Sequence, residues 1–211
     1  MMREPIVSEE RIPSLVLREV CESVIDNLGE KNLRLLFTQA GLQGLYQGEL
    51  PPADDTPSIS VGEFSQLFAA THRIFGARGM KPILLRSGRT SAEHFRQTNK
   101  TLMALTGAAF KVLPTDAKIK LMLSRAAKLG EEMLHTPHRF YDTPEAYVIE
   151  ISACPYCAGS HAEHGICFFP VGFYGDMLRW ATGTAYTINE TECIATGGAV
   201  CRFEIGRVPR A

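Results

Sequence analysis

The sequence predicts an α+β domain: a helical first two-thirds packed on a C-terminal antiparallel sheet that carries one inserted helix. Three observations predict it. Apolar residues recur at three-four spacing to about residue 133. After His135 the pattern changes to alternating and β-branched runs, which read as strands. Between those runs, residues 168–181 return to a helical pattern.

At 211 residues, with 45% hydrophobic and 21% charged, the chain buries a core without staples. The net charge is −1 and no basic run exceeds two residues, which argues against a nucleic-acid surface. The opening M-M-R-E-P-I-V-S-E-E lacks a signal peptide's apolar core, and no apolar run approaches bilayer length. A cytoplasmic address is therefore expected, with reduced thiols.

Residues 1–13 read as a loose arm and residues 14–211 as one ligand-binding domain. Leu17, Val20, Cys21, Val24, Ile25 and Leu28 form the stripe of a first helix that Gly29 ends. Cys21 reads as a small buried hydrophobe. A second helix spans residues 30–40. Residues 43–58, rich in proline and glycine, read as a loop. Ser60 and Glu63 then spell a capping box. The helix behind it aligns Phe64, Leu67, Phe68, Thr71 and Phe75, with Gly76 and Gly79 as interruptions. Residues 80–96 read as helical, with Pro82 suited to a first turn.

Residues 101–113 are apolar nearly all round, which predicts burial on most sides. Pro114-Thr115-Asp116 caps the next helix, which runs to about Met133. Small residues on its inner face, Ala126, Ala127 and Gly130, predict the close approach of another helix or of a ligand. Residues 139–141 and 146–153 are strands around the turn Asp142-Thr143-Pro144. Trp180 reads as a core or interface residue of the inserted helix. Residues 184–195 and 199–207 read as a terminal hairpin.

Five of the six cysteines lie between Cys154 and Cys201. In a reducing compartment such a cluster predicts metal ligation rather than disulfides. If residues 196–198 form the hairpin loop, Cys193 faces Cys201 across the strands, with Cβ atoms about 5 Å apart. That spacing suits two thiolates on one tetrahedral zinc. Cys167 is a natural third ligand. Spacing leaves Cys154, Cys157, His161, His164, Glu190 and Glu192 open as the fourth. Strand parity requires a bulge or turn for either glutamate to reach the metal. The loop His161-Ala162-Glu163-His164 reads as solvated residues or as a source of catalytic groups.

The run from Cys154 to Ile205 resembles the 4-vinyl-reductase domain family. The matching pieces are C-P-Y-C-A-G, Cys167, G-F-Y-G-D-M-L-R-W-A-T-G and E-T-E-C-I-A-T-G-G-A-V-C-R-F-E-I. That family includes hydrocarbon-binding proteins and the sensor domains of phenol-responsive activators. Its fold is shared with a Golgi transport-tethering subunit and a haem nitric-oxide-associated domain. The resemblance implies that residues 137–207 hold a zinc on Cys167, Glu190, Cys193 and Cys201. It leaves Cys154 and Cys157 as additional metal ligands, a redox pair or bystanders. The phenol sensors place a pocket tryptophan upstream of the first ligand cysteine, whereas Trp180 lies after Cys167, so phenol specificity does not transfer. No ATPase or DNA-binding region follows the motif, so signalling is expected to need a separate partner.

A zinc with four protein ligands is closed and therefore structural. The expected function is a zinc-stabilised binding module for a small hydrophobic ligand (hydrocarbon, aromatic or acyl), acting as sensor or carrier. The resemblance further implies a homodimer. Phe68, Met103, Phe110, Met122 and Tyr147 are the expected ligand-lining residues, since apolar burial contributes about 25 cal/mol per Å². No catalytic triad, phosphate loop or open metal motif emerges. An enzyme of the reductase or hydrolase type and an assembly or tethering module are the alternatives.

Overall fold

The apolar stripes of the N-terminal helices and the terminal hairpin settle where each element packs. The computed structural model describes residues 10–210. Strand β1 (Arg11–Pro13) leads into helices α1 (Ser14–Leu28) and α2 (Glu30–Gln39). Between them Gly29 takes φ 81, a left-handed conformation that glycine adopts without strain. Strand β2 (Pro57–Ser60) pairs antiparallel with β1, and Ile12 and Ile59 face each other fully buried. The expected loose arm is thus ordered from residue 11, because this pairing holds it; residues 1–9 of that expectation lie outside the described residues. The same pairing ends the expected 43–58 loop at residue 56.

Helix α3 (Val61–Thr98) begins as its sequence predicts. The Ser60 hydroxyl accepts from the Glu63 N–H at 3.1 Å, and the Glu63 carboxylate accepts from the Ser60 N–H at 2.8 Å. Helical dihedrals break at Gly76, with φ 63 and ψ 172, and resume through Gly79 and Pro82. Only one of the two expected interruptions therefore occurs. Pro82 sits beyond a first turn, where it and Arg78 are both exposed and water can replace the lost bond.

Helix α6 (Phe168–Thr182) crosses α3 backbone to backbone. A Cβ at Gly88 would penetrate the carbonyl oxygen of Phe169, and one at Gly172 would penetrate that of Leu85. Two glycines, one from each helix, make this crossing possible.

Helix α4 (Lys100–Phe110) departs from expectation. Its apolar sequence predicted burial on most sides, yet Leu105 is 69% exposed and Val112, just beyond it, 84%. Phe110 points inward against Trp180, ring centroids 5.4 Å apart. The outer face has no covering element among the described residues, so an all-apolar stretch stays half open.

Helix α5 (Thr115–Leu134) buries Ile119, Met122, Leu123 and Ala127. What approaches its small residues is neither a helix nor a ligand. A Cβ at Gly130 would lie 2.8 Å from Nε2 of His138, the first residue of strand β3 (His138–Asp142). With β4 (Ala146–Ile151), β5 (Tyr186–Glu192) and β6 (Cys201–Pro209), β3 forms a sheet of order β3-β4-β6-β5, each adjacent pair antiparallel. Tyr147 donates to Asp116 at 2.6 Å while Lys120 bridges Asp116 and Asp142, which fastens α5 to the sheet.

Glu19 is buried on α1, and its Oε1 has no hydrogen-bond partner. Burial, reinforced by the charge of Glu22, pushes its carboxyl up to about 8. The folded value lies above the unfolded one. Glu19 therefore costs nothing below the unfolded value, and stability falls as pH rises toward about 8. Urea melts of wild type and Glu19→Gln should diverge by about 3–5 kcal/mol across that window, the variant gaining at the alkaline end. Parallel pH profiles would refute this.

No helix among the described residues is long and apolar enough to cross a membrane.

Candidate functional site

Five buried thiols meet where the turn after β4, the start of α6 and the β5–β6 hairpin come together. Cys154 and Cys157 lie on that turn. Cys167 immediately precedes α6, Cys193 follows β5 and Cys201 opens β6. The Sγ atoms of Cys154 and Cys167 are 3.7 Å apart, those of Cys167 and Cys201 3.7 Å, and those of Cys157 and Cys201 3.3 Å. Cys193 and Cys201 are 4.0 Å apart. Sulfurs around a tetrahedral zinc with bonds near 2.3 Å would stand about 3.8 Å apart.

A carboxylate joins them. The β5–β6 register slips between Glu190 and Glu192, where sequence parity required a bulge. Glu190 Oε2 accepts from the Cys167 N–H at 2.9 Å, and its Oε1 is buried without a partner. Gly165 makes room, since a Cβ there would strike this carboxylate.

The hairpin itself is looser than expected. Glu192, not Cys193, is the last β5 residue paired with β6, opposite Arg202. The Cys193 carbonyl accepts from Thr196 and Gly198, and Glu192 accepts from Ala199 at 2.8 Å. These bonds wind residues 193–200 into a wider loop that includes a 3-10 turn, Ile194–Thr196. Glu192 is thereby occupied away from the thiols.

Two quartets of donors result, each with its ligand atoms within 4.8 Å of one another. One is Cys154, Cys157, Cys167 and Cys201. The other is Cys167, Glu190, Cys193 and Cys201. Burial pushes the Cys154 and Cys167 thiols up, so without a cation they stay protonated. A divalent ion reverses that balance by stabilising the thiolates.

A cleft of about 1060 Å³ opens beside the cluster between α3, α6 and β5. Leu85, Phe168, Val171 and Ile188 give it an apolar floor. Arg78, Lys81, Arg89, Arg179 and Arg210 line it, and none of them pairs with a carboxylate among the described residues. Lys81 lies over the Phe168 ring at 5.4 Å. Of the carboxylates at the cleft, Asp176 is engaged by Arg96 and Glu190 faces Cys167. His161, Glu163 and His164 stand at its rim, not among the sulfurs. Sequence reasoning missed this basic lining because its residues come from segments far apart along the chain.

The residues expected to line a ligand pocket are dispersed. Phe68 borders a narrow apolar seam between α1, α2, α3 and α6, with about 20 Å³ of free space, room for one water. Met122 is in the α5 core, and Tyr147 is bound to Asp116. Met103 and Phe110 lie on α4, Phe110 against Trp180. None of these four borders the seam or the cleft.

Residues 147–207 match the family model of the 4-vinyl-reductase domain. This segment is a 4-vinyl-reductase domain. It spans β4 to β6 and so contains all six cluster donors. No curated protein sequence matches the chain. An H-NOX protein from S. oneidensis, solved in its Fe(II)NO ligation state, is similar in structure with a TM-score of 0.62 at 10% identity. That match covers 95% of this chain and 100% of the other. The unliganded Fe(II) H-NOX protein from K. algicida gives a TM-score of 0.57 at 13% identity, over 95% and 97% of the two chains. A vinyl-4-reductase family protein from Methanocaldococcus jannaschii matches at 20% identity over 46% of this chain and 65% of its own, with a TM-score of 0.36.

The 4-vinyl-reductase chain thus has the H-NOX fold across its length, including the helices upstream of the matched segment. Its residues do not fit a haem in the seam between those helices. No histidine borders the seam, and its free space is that of one water. Cys21, the thiol present there, is pushed up to about 12 by burial.

Proposed function

We propose that the chain is a zinc-stabilised binding module for a small hydrophobic ligand that carries an acidic group, acting as a sensor or carrier. The observation that carries this reading is the cleft: ample volume, an apolar floor and unpaired cations. Drug-sized ligands occupy sites of about 300–1,000 Å³, a range the seam falls far short of. An acyl or aromatic body would lie on Phe168, Leu85 and Val171, with its anionic group toward Arg89 and Arg179. Arg donors suit carboxylates and phosphates through paired hydrogen bonds.

The zinc would sit on Cys167, Glu190, Cys193 and Cys201. Four protein ligands leave no open position, so its role is structural. It ties the hairpin to the first residue of α6, next to the cleft floor. The exposed apolar face around Leu105 and Val112 supports a homodimer, in the reducing cytoplasm that free thiols suit. Light scattering giving a monomer mass at working concentration would retire the dimer.

Titration with 1-naphthoate and its neutral counterpart 1-naphthol tests the ligand reading. The carboxylate should raise the melting temperature, and Arg89→Ala combined with Arg179→Ala should weaken it about tenfold or more. Equal binding of the two compounds, or no shift with either, would overturn it.

A further inference from the structure

The two quartets of donors share an edge. Cys167 and Cys201 belong to both, with their sulfurs 3.7 Å apart. Cys154 and Cys157 complete one quartet, and Glu190 and Cys193 complete the other. A single four-coordinate zinc engages only four of these six donors. With an ion on Cys167, Glu190, Cys193 and Cys201, the buried Cys154 and Cys157 would be left as idle thiols against its coordination shell. With an ion on the four cysteines, Glu190 would keep a buried oxygen that nothing satisfies. An unpaired buried carboxylate oxygen is costly.

We propose that the site holds two divalent zinc ions bridged by the thiolates of Cys167 and Cys201. One ion takes Cys154 and Cys157 as its terminal ligands; the other takes Glu190 and Cys193. Six donors, two of them shared, fill two tetrahedra with no donor left over. Five thiolates and one carboxylate against two Zn²⁺ leave the same net charge as one ion with four anionic ligands. The second ion therefore neutralises the extra pair without adding to the buried charge. The sulfur spacings already suit it: 3.7 Å from Cys154 to Cys167 and 3.3 Å from Cys157 to Cys201 on one side, 4.0 Å from Cys193 to Cys201 on the other. The inference rests on the metal reading above, and metal content separates the two.

The full chain, expressed with zinc and desalted, should contain two zinc ions per chain by mass spectrometry of the metal. Cys154→Ser combined with Cys157→Ser should retain one. One ion in wild type that survives in this variant overturns the bridged pair and leaves the Cys167–Glu190–Cys193–Cys201 site standing. One ion that disappears in the variant overturns both, in favour of the four-thiolate quartet. No ion in folded wild type also overturns both. Should the variant fail to fold, cobalt loading of the wild-type chain decides. A first equivalent gives the electron paramagnetic resonance signal of isolated Co²⁺, and a second should quench it through the shared sulfurs. A signal that grows in proportion to both equivalents, or a second equivalent that does not bind, sinks the proposal.

Discussion

Alanine at Gly88 or at Gly172 is expected to destabilise the fold by about 3 kcal/mol or more. Each added methyl would overlap a carbonyl oxygen of the opposing helix, Phe169 in one case and Leu85 in the other. Backbone cannot rotate away as a side chain can, so α3 and α6 must separate. That separation opens the seam on one side of the crossing and shifts the cleft floor on the other. Gly107 is the control: a Cβ there meets Trp180 at an ordinary 3.8 Å, so Gly107→Ala should be near neutral or stabilising in its helix. Urea unfolding followed by the single tryptophan measures all three. Equal, small effects would show that the crossing is not tight.

Loss of Cys201 should be as damaging by another route. Cys201 belongs to both quartets, and the Ile194 N–H also points at its sulfur at 3.4 Å. Cys201→Ser should release all bound metal and unfold the C-terminal sheet, because structural zinc contributes about 10–16 kcal/mol to folding in small sites. A strong chelator should reproduce the effect in wild type, and readdition of zinc should reverse it. Cys21→Ser is the matched control, since Cys21 lies in the seam away from the cluster. It should leave metal content unchanged. A Cys201→Ser chain that melts like wild type would remove the metal from the folding argument.

Local chemistry was legible in the sequence, and long-range placement was not. The Ser60–Glu63 capping box, the glycine after α1 and the inserted helix ending at Gly183 all follow from adjacent residues. The bulge at Glu190 was legible because strand parity and a family pattern disagreed at one position. The exposure of Leu105 was not, because periodicity reports which residues are apolar and not whether anything covers them. Nor was the partner of Gly130, since a helix of small residues looks the same opposite a helix, a ligand or the His138 ring. The expected lining residues were chosen from apolar helices, but cavities form where packing is interrupted. Met103, Phe110 and Met122 are instead consumed by packing.

Cys167, Phe168 and Phe169 are consecutive, and they reach respectively the thiol cluster, the cleft and the seam. A helix pinned through its first flanking residue cannot slide along its axis; it can only pivot. Over its 15 residues α6 extends about 22 Å, so a small tilt at Phe168 is magnified by leverage toward its distal end. Trp180 sits at that end against Phe110 of the half-open helix α4. The metal thereby serves as a fulcrum, and whatever presses on the aromatic pair beside it moves the outer apolar face most.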